Sequence, residues 1–273
     1  MDARIPVPVQ NTLYEYISLF HKQIPNTLTG VYLHGSIALN AYIPQSSDID
    51  FLAVIKRQLT KSEALHLKKL HQEIEKTHTI AMDGCYLLQE DVGKQETVMK
   101  TKQRFYYNDG KMIKSDRITN PIMWWILKNK GLSIIGPELT SFHFDVDDQI
   151  LRNYVIDNMN TYWLHRIQKN ENMIVVAHLI PSNMVDMEIE WSIMGMLRQF
   201  YTLKECDITS KIDASKYALQ HMPERWHPII KEALHIRKGE TIRHYPSKKQ
   251  RMNDGIECMK YIWNECNSIY QRN

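Results

Sequence analysis

The sequence predicts two domains of different class. Residues 1–145 read as an α/β domain, a mixed sheet flanked by helices, and residues 146–273 as an all-α helical bundle. Three observations lead there. Short β-forming runs alternate with helix-periodic stretches up to about Asp145. Beyond about residue 146 no convincing strand pattern remains, while apolar residues keep helical spacing. Finally, 273 residues with 43% hydrophobic and 24% charged side chains describe an ordinary folded chain of one large or two modest domains, not a disordered or collagen-like one.

The elements follow in order. Residues 11–24 place Leu13, Ile17, Phe20 and Ile24 on one helical stripe. Gly30-Val-Tyr-Leu-His-Gly35 is a short strand, and Ser36 to Tyr42 a short helix stopped by Pro44. Asp48-Ile-Asp-Phe-Leu-Ala-Val-Ile55 is a second strand. Thr60 and Glu63 form a capping box for a helix with Ala64, Leu67, Leu70 and Ile74 on one face. Ile80 to Leu88 is a third strand with Asp83 in its middle. Asn120-Pro121 opens another helix as N-cap and first residue, Gly131 ends it, and Leu132 to Ile135 runs into a Gly136-Pro137 turn. In the second half, Leu151, Val155, Met159 and Tyr162 keep helical spacing, as do Ile189, Ile193, Met196 and Phe200, and Met252, Ile256, Met259 and Trp263.

Composition narrows the function classes. The net charge, 34 − 31 = +3, gives no dense basic track for nucleic acid, and Lys248, Lys249 and Arg251 are a thin cluster. No window has the length and apolarity of a membrane span, and Met1 to Val9 holds no signal-peptide core. The four cysteines, Cys85, Cys206, Cys258 and Cys266, show no CxxC spacing for zinc. Cys258 and Cys266 lie about 12 Å apart along one helix at 1.5 Å per residue, too far to bridge. All four are expected as reduced thiols in a cytoplasmic, monomeric protein.

The chemistry concentrates in Leu33-His-Gly35-Ser36, then eleven residues, then Asp48-Ile-Asp-Phe51. Residues two apart on a strand share a face, so Asp48 and Asp50 point together, with Cα atoms about 6.6 Å apart. Two carboxylates forced together in a partly buried cleft repel each other and resist ionisation, and Mg²⁺ reverses that penalty while accepting phosphate oxygens. Gly35 lets the backbone approach a phosphate, the following helix offers N–H groups, and Ser36 adds a hydroxyl. If the third strand pairs beside the second, Asp83 joins the same metal or takes the proton of an attacking hydroxyl. Alone, a D-x-D pair is commonly a solvated edge and a Gly-Ser a simple turn. Their conjunction with a buried third acid is far rarer.

This pattern resembles the nucleotidyltransferase superfamily that includes DNA polymerase β, with His34 filling a usually apolar position before Gly35. Four blocks further resemble the streptomycin/spectinomycin adenylyltransferases: Gly30-Val-Tyr-Leu-His-Gly-Ser-Ile37, Ser47-Asp-Ile-Asp50, Leu132-Ser-Ile-Ile-Gly-Pro137 and Ile208-Thr-Ser-Lys-Ile-Asp-Ala214. The resemblance implies a nucleotidyltransferase domain followed by a helical domain that helps bind ATP and acceptor. It implies Mg²⁺-dependent transfer of AMP from ATP to a hydroxyl of an aminoglycoside or aminocyclitol antibiotic, and hence resistance, with the acceptor in the cleft between domains. Carried over residue by residue, Ser36 and Ser47 contact phosphate, Asp48 and Asp50 hold the metal, and Lys211 and Arg198 are cations that reach the nucleotide from the helical domain. Glu188 matches a drug-contacting acid, with Asp186 and Glu190 nearby on the same helix face. There are departures. Asp83 stands where a catalytic Glu is usual, the region of a drug-stacking Trp reads Phe105-Tyr-Tyr107, with Tyr107 expected at the acceptor, and Arg237 replaces a nucleotide-contacting Tyr. The rivals are transfer of a nucleotide to another small molecule, RNA or protein, and a non-catalytic nucleotide-binding or antitoxin-like protein.

Overall fold

The computed structural model describes residues 2–100 and 103–272. The chain divides into two compact units, Met1–Asp147 and Asp148–Asn273. Among the described residues no helix is long and apolar enough to cross a membrane. Cys85, Cys206, Cys258 and Cys266 are free thiols.

In the first unit the order is α1 (Val7–Gln23), β1 (Leu28–Leu33), α2 (Gly35–Ala38), β2 (Ile49–Ile55), α3 (Lys61–His78), β3 (Met82–Leu88), β4 (Arg104–Asn108), β5 (Lys111–Ser115), α4 (Pro121–Asn129) and β6 (Leu132–Ile135). Among the described residues these strands form one mixed sheet in the order β5-β4-β3-β2-β1-β6. Among the described residues only β2 and β3 pair in parallel, and α3 supplies the crossover that a parallel pair requires. Local chemistry sets the helix ends. Thr60 Oγ1 accepts from Glu63 N at 3.2 Å while Glu63 Oε2 accepts from Thr60 N at 2.8 Å, the reciprocal cap expected for α3. Asn120 Oδ1 accepts from Met123 N at 2.9 Å, and Pro121 opens α4.

The pleat separates the two faces of this sheet. Val31, Leu33, Phe51, Ala53, Ile55, Tyr86 and Tyr107 share a buried core with Leu13, Tyr16 and Phe20 of α1 and Leu67, Leu70 and Ile74 of α3. Asp50, Asp83 and Asn108 sit at the alternate positions, so they face away from that core.

Several boundaries differ from the sequence expectation. The helix after Gly35 is a single turn, because Asn40 takes a left-handed φ of 54° and turns the chain out. The third strand begins at Met82, so Asp83 is its second residue, not its middle. The β4–β5 hairpin was not anticipated. It closes on Asp109 (φ 47°) and Gly110 (φ 68°), the two left-handed residues of a tight hairpin turn.

The second unit is helical throughout: α5 (Asp148–Asn158), a π-helical turn at Met159–Trp163, α6 (Leu164–Met173), α7 (Ser182–Glu205), α8 (Lys211–His221), α9 (His227–Arg237) and α10 (Lys248–Arg272). The long α7 is the spine, packing against α5, α8, α9 and α10. Its buried stripe includes Ile189, Ile193, Leu197 and Phe200, and Met259 and Ile262 of α10 belong to the same core. Ser210 caps α8 by accepting from Asp213 N at 3.1 Å.

Candidate active site

Asp50 lies in β2 directly opposite Asp83 in β3, and Asp48 sits two residues earlier, where the chain enters the strand. One carboxylate oxygen from each of the three lies within 4.8 Å of the others. Parallel pairing is what achieves this: β2 and β3 run side by side in register, so two acids from segments far apart in sequence stand in one row. The row continues into β4, where Asn108 Nδ2 donates to Asp83 Oδ2. Burial pushes the Asp83 carboxyl up to about 6; the Asn108 hydrogen bond pulls it down, and the Asp48 charge pushes it further up. A divalent cation suits such a set. Its charge removes the repulsion among the acids and stabilises their ionised forms.

Gly35 is fixed by this cluster. Its φ is +59°, and a Cβ built there would lie 1.7 Å from Asp50 Oδ2, so the carboxylate rests directly on the glycine. The strand pairing seats the loop, with His34 N donating to the Asp50 carbonyl at 3.1 Å. The Ser36 hydroxyl oxygen beside it is shielded from solvent, and no protein group among the described residues hydrogen-bonds it. An oxygen left in this way is suited to a ligand's oxygen. Ser47 Oγ accepts from Ile43 N at 3.1 Å, so it stabilises the turn that leads into Asp48.

Tyr107 corrects the expectation. Its ring is fully buried and stacks on His71 at 4.0 Å, and its hydroxyl donates to Glu75 Oε2 at 2.8 Å. Strand alternation turns it toward α3, away from Asp83, and gives the acid face to Asn108 instead. The expectation missed Asn108 because β4 itself was not read. The Asp109-Gly110 pair was the signal for it.

Within the helical unit, Asp186, Glu188 and Glu190 of α7 are each already paired. Glu188 accepts from Arg166 Nε at 2.9 Å and Nη2 at 2.6 Å, from Asn170 at 2.7 Å and from Ser192 at 2.6 Å. Burial alone would raise its pKa, but these donors outweigh it and hold the carboxyl below its ordinary value. Asp186 is gripped by Arg243 and Arg251, each at 2.6 Å, and Arg251 also pairs with the fully buried Glu232 at 2.9 Å. In this structure Asp186 and Glu188, expected from the resemblance near the acceptor, each hold arginine within the bundle. Glu190 accepts from Lys211 at 3.0 Å and lies 3.5 Å from Arg237 Nη1. Lys211 is shifted downward first by burial, and Arg237 and Arg198 both act on it in the same direction. The structure thus gathers Arg198, Lys211 and Arg237 into one electrostatic neighbourhood. Trp191, half-exposed, lies under the Lys211 ammonium at 5.0 Å from the ring centroid.

Comparison with known proteins matches both halves. Residues 16–107 match the nucleotidyltransferase domain, and residues 164–261 match the aminoglycoside adenylyltransferase C-terminal domain. Among solved structures, spectinomycin adenyltransferase AAD(9) from Enterococcus faecialis, crystallised with ATP and spectinomycin, superposes with a TM-score of 0.67. That likeness covers 94% of this chain and 99% of the other at 19% identity, and it is a likeness of fold. No curated protein sequence matches the chain. The chain thus carries a nucleotidyltransferase domain with a three-acid row over residues 16–107, followed over residues 164–261 by the C-terminal domain characteristic of aminoglycoside adenylyltransferases.

Proposed function

We propose that the protein transfers AMP from ATP to a hydroxyl group of an aminocyclitol or aminoglycoside antibiotic, of the spectinomycin or streptomycin class, and so inactivates it. The observation that carries this reading is the convergence of Asp48, Asp50 and Asp83 to within 4.8 Å of one another beside Gly35 and Ser36.

The acids fit a magnesium ion, with Asp48, Asp50 and Asp83 as its ligands. When bound, that ion stabilises charge on the α-phosphate and on the departing pyrophosphate. The remaining work falls to the chain. The Ser36 hydroxyl donates to a phosphate oxygen, and Gly35 allows that phosphate close to the backbone. Ser47 holds the loop that aims Asp48. Arg198 and Lys211 supply positive charge to the triphosphate. The acceptor oxygen attacks the α-phosphorus, the bond to the bridging oxygen breaks, and pyrophosphate leaves with that electron pair. Asp83 takes the acceptor's proton. The Asn108 amide holds its carboxylate in place.

The test is mass spectrometry of an antibiotic panel, including streptomycin and spectinomycin, after incubation with ATP and Mg²⁺. The expected product is one antibiotic carrying one added AMP, and none with Asp50→Asn, which should fold normally. Labelled ATP that marks RNA or protein while every antibiotic stays unmodified would overturn the acceptor assignment. Full turnover by Asp50→Asn would overturn the acid row.

A further inference from the structure

The acids of the helical unit differ in how firmly they are held. Glu188 uses both oxygens against Arg166 and takes two more hydrogen bonds from Asn170 and Ser192. Asp186 spreads its two oxygens over two arginines, each at 2.6 Å. Glu232 is fully buried, with one oxygen on Arg251 and the other accepting from His244 N at 2.9 Å. Glu188 is thus fully hydrogen-bonded, each oxygen of Asp186 faces an arginine, and removing any of these acids would strand a charge in the bundle. Glu190 is different. Both of its cations, Lys211 at 3.0 Å and Arg237 at 3.5 Å, converge on the same oxygen, Oε1. The second distance is long for an ion pair that also makes a good hydrogen bond.

We propose that Glu190 is a resident counter-anion for Lys211 and Arg237, which it holds in place until phosphate oxygens of the nucleotide displace it, and to which it returns as pyrophosphate departs. This rests on the reading that Lys211 meets the triphosphate. The physical need is plain. Lys211 is largely buried, and it shares its surroundings with Arg237 and Arg198. Burial and like charges both disfavour the ammonium, so a neighbouring carboxylate is required to keep it charged and directed. A triphosphate offers several anionic oxygens against one from Glu190, so exchange runs forward on binding. On the product side the same carboxylate competes with pyrophosphate and hastens its release. Glu190 is therefore a positioning residue. It tunes affinity through the cations and does not touch the reacting atoms.

The structure also supplies an optical probe. Lys211 Nζ lies 5.0 Å from the Trp191 centroid, and that indole is half-exposed. Withdrawal of the ammonium toward phosphate changes the field on the ring.

The experiment measures inhibition by inorganic pyrophosphate, KM for ATP and kcat in four proteins: wild type, Glu190→Gln, Glu190→Asp and Lys211→Met. In Glu190→Gln, pyrophosphate should bind tighter by on the order of tenfold and KM for ATP should fall, as removal of one anion a few ångströms from a partly desolvated anionic ligand requires. kcat should fall if release limits turnover. Glu190→Asp should restore near wild-type values. A merely structural role for Glu190 predicts weaker binding throughout, so unchanged or weakened pyrophosphate affinity in Glu190→Gln overturns the proposal. Lys211→Met should lose pyrophosphate affinity. If it does while Glu190→Gln is silent, this inference alone fails; if Lys211→Met binds pyrophosphate normally, the placement of Lys211 at the phosphates fails with it. A second measurement avoids the variants of Glu190. Pyrophosphate should change the tryptophan emission of the wild type but not of Trp191→Phe, and equal responses in the two proteins overturn the exchange.

Discussion

Replacing Gly35 with alanine adds one methyl group, and the site has no room for it. The new Cβ would lie 1.7 Å from Asp50 Oδ2, 2.4 Å from its Cγ and 2.8 Å from its Cβ, where contacts below 3.0 Å essentially never occur. The carboxylate would have to withdraw by 3.0 − 1.7 = 1.3 Å or more, or the loop would have to unwind. The backbone adds a second cost, since φ of +59° is left-handed. For an L-residue that conformation is unfavourable by about 1–2 kcal/mol. The two effects appear in different measurements. Thermal or urea unfolding should show a loss of about 1–3 kcal/mol, within the range for a strained backbone with local overpacking. Steady-state AMP transfer should fall about 10²-fold or more, because a catalytic group misplaced by about 1 Å costs that much. The loss should fall on kcat, since the Ser36 hydroxyl remains in place. A folded Gly35→Ala protein that turns over like wild type would show that Asp50 does not need its present position, and the three-acid mechanism would fall with it.

Further outcomes follow from the same geometry. Asn108→Ala removes the donor that holds Asp83 and should lower kcat about tenfold, within the usual range for a lost positioning hydrogen bond, with little change in KM for ATP. Unaltered kcat would leave Asp83 without the role assigned to it. His71 makes stability depend on pH. Its ring is fully buried against Tyr107 and shares a hydrogen bond with the Tyr86 hydroxyl at 2.6 Å, and burial pushes its pKa from 6.5 down to about 3. Between those values the unfolded chain binds the proton and the folded chain does not, so stability falls as pH drops from about 6.5 toward about 3. His34, half-buried and lowered to about 4 by desolvation, acts in the same direction. Urea midpoints across this window should decline for wild type and decline less for His71→Phe; midpoints that hold constant from neutral pH down to the carboxylate range would contradict the buried neutral ring.

Much of the N-terminal unit could be read from local chemistry. The Thr60–Glu63 box and the Asn120-Pro121 start are caps that depend only on residues within one turn, and both form as written. The D-x-D spacing and the Gly-Ser bend needed only the pleat and one left-handed residue. Misreadings arose where a residue's role depends on its partners. Asn40 ends α2 early through its own left-handed φ, a choice that competes with helix continuation and is not evident from spacing. Tyr107 was expected at the acceptor because its region stands where the resembled family has a drug-stacking Trp, yet the phase of β4 relative to β3 decides which face it takes. Gly84 directly follows Asp83 in β3. In the structure that glycine is small because Phe51 overlies it, with a built Cβ 2.4 Å from the ring, and the strand continues.

The sequence by itself determined the α/β-then-helical order, the caps, the periodic core stripes and the candidate acids Asp48, Asp50 and Asp83, because each is set by residues a few positions apart. Only the tertiary structure decided that β2 and β3 run parallel and in register, which brings Asp83 to Asp50, and that Asp186 and Glu188 already hold arginines while Glu190 holds Lys211. Those facts depend on chain segments meeting across tens of residues. Short-range periodicity fixes the face a side chain takes, but it carries no information about which distant charge will meet it there.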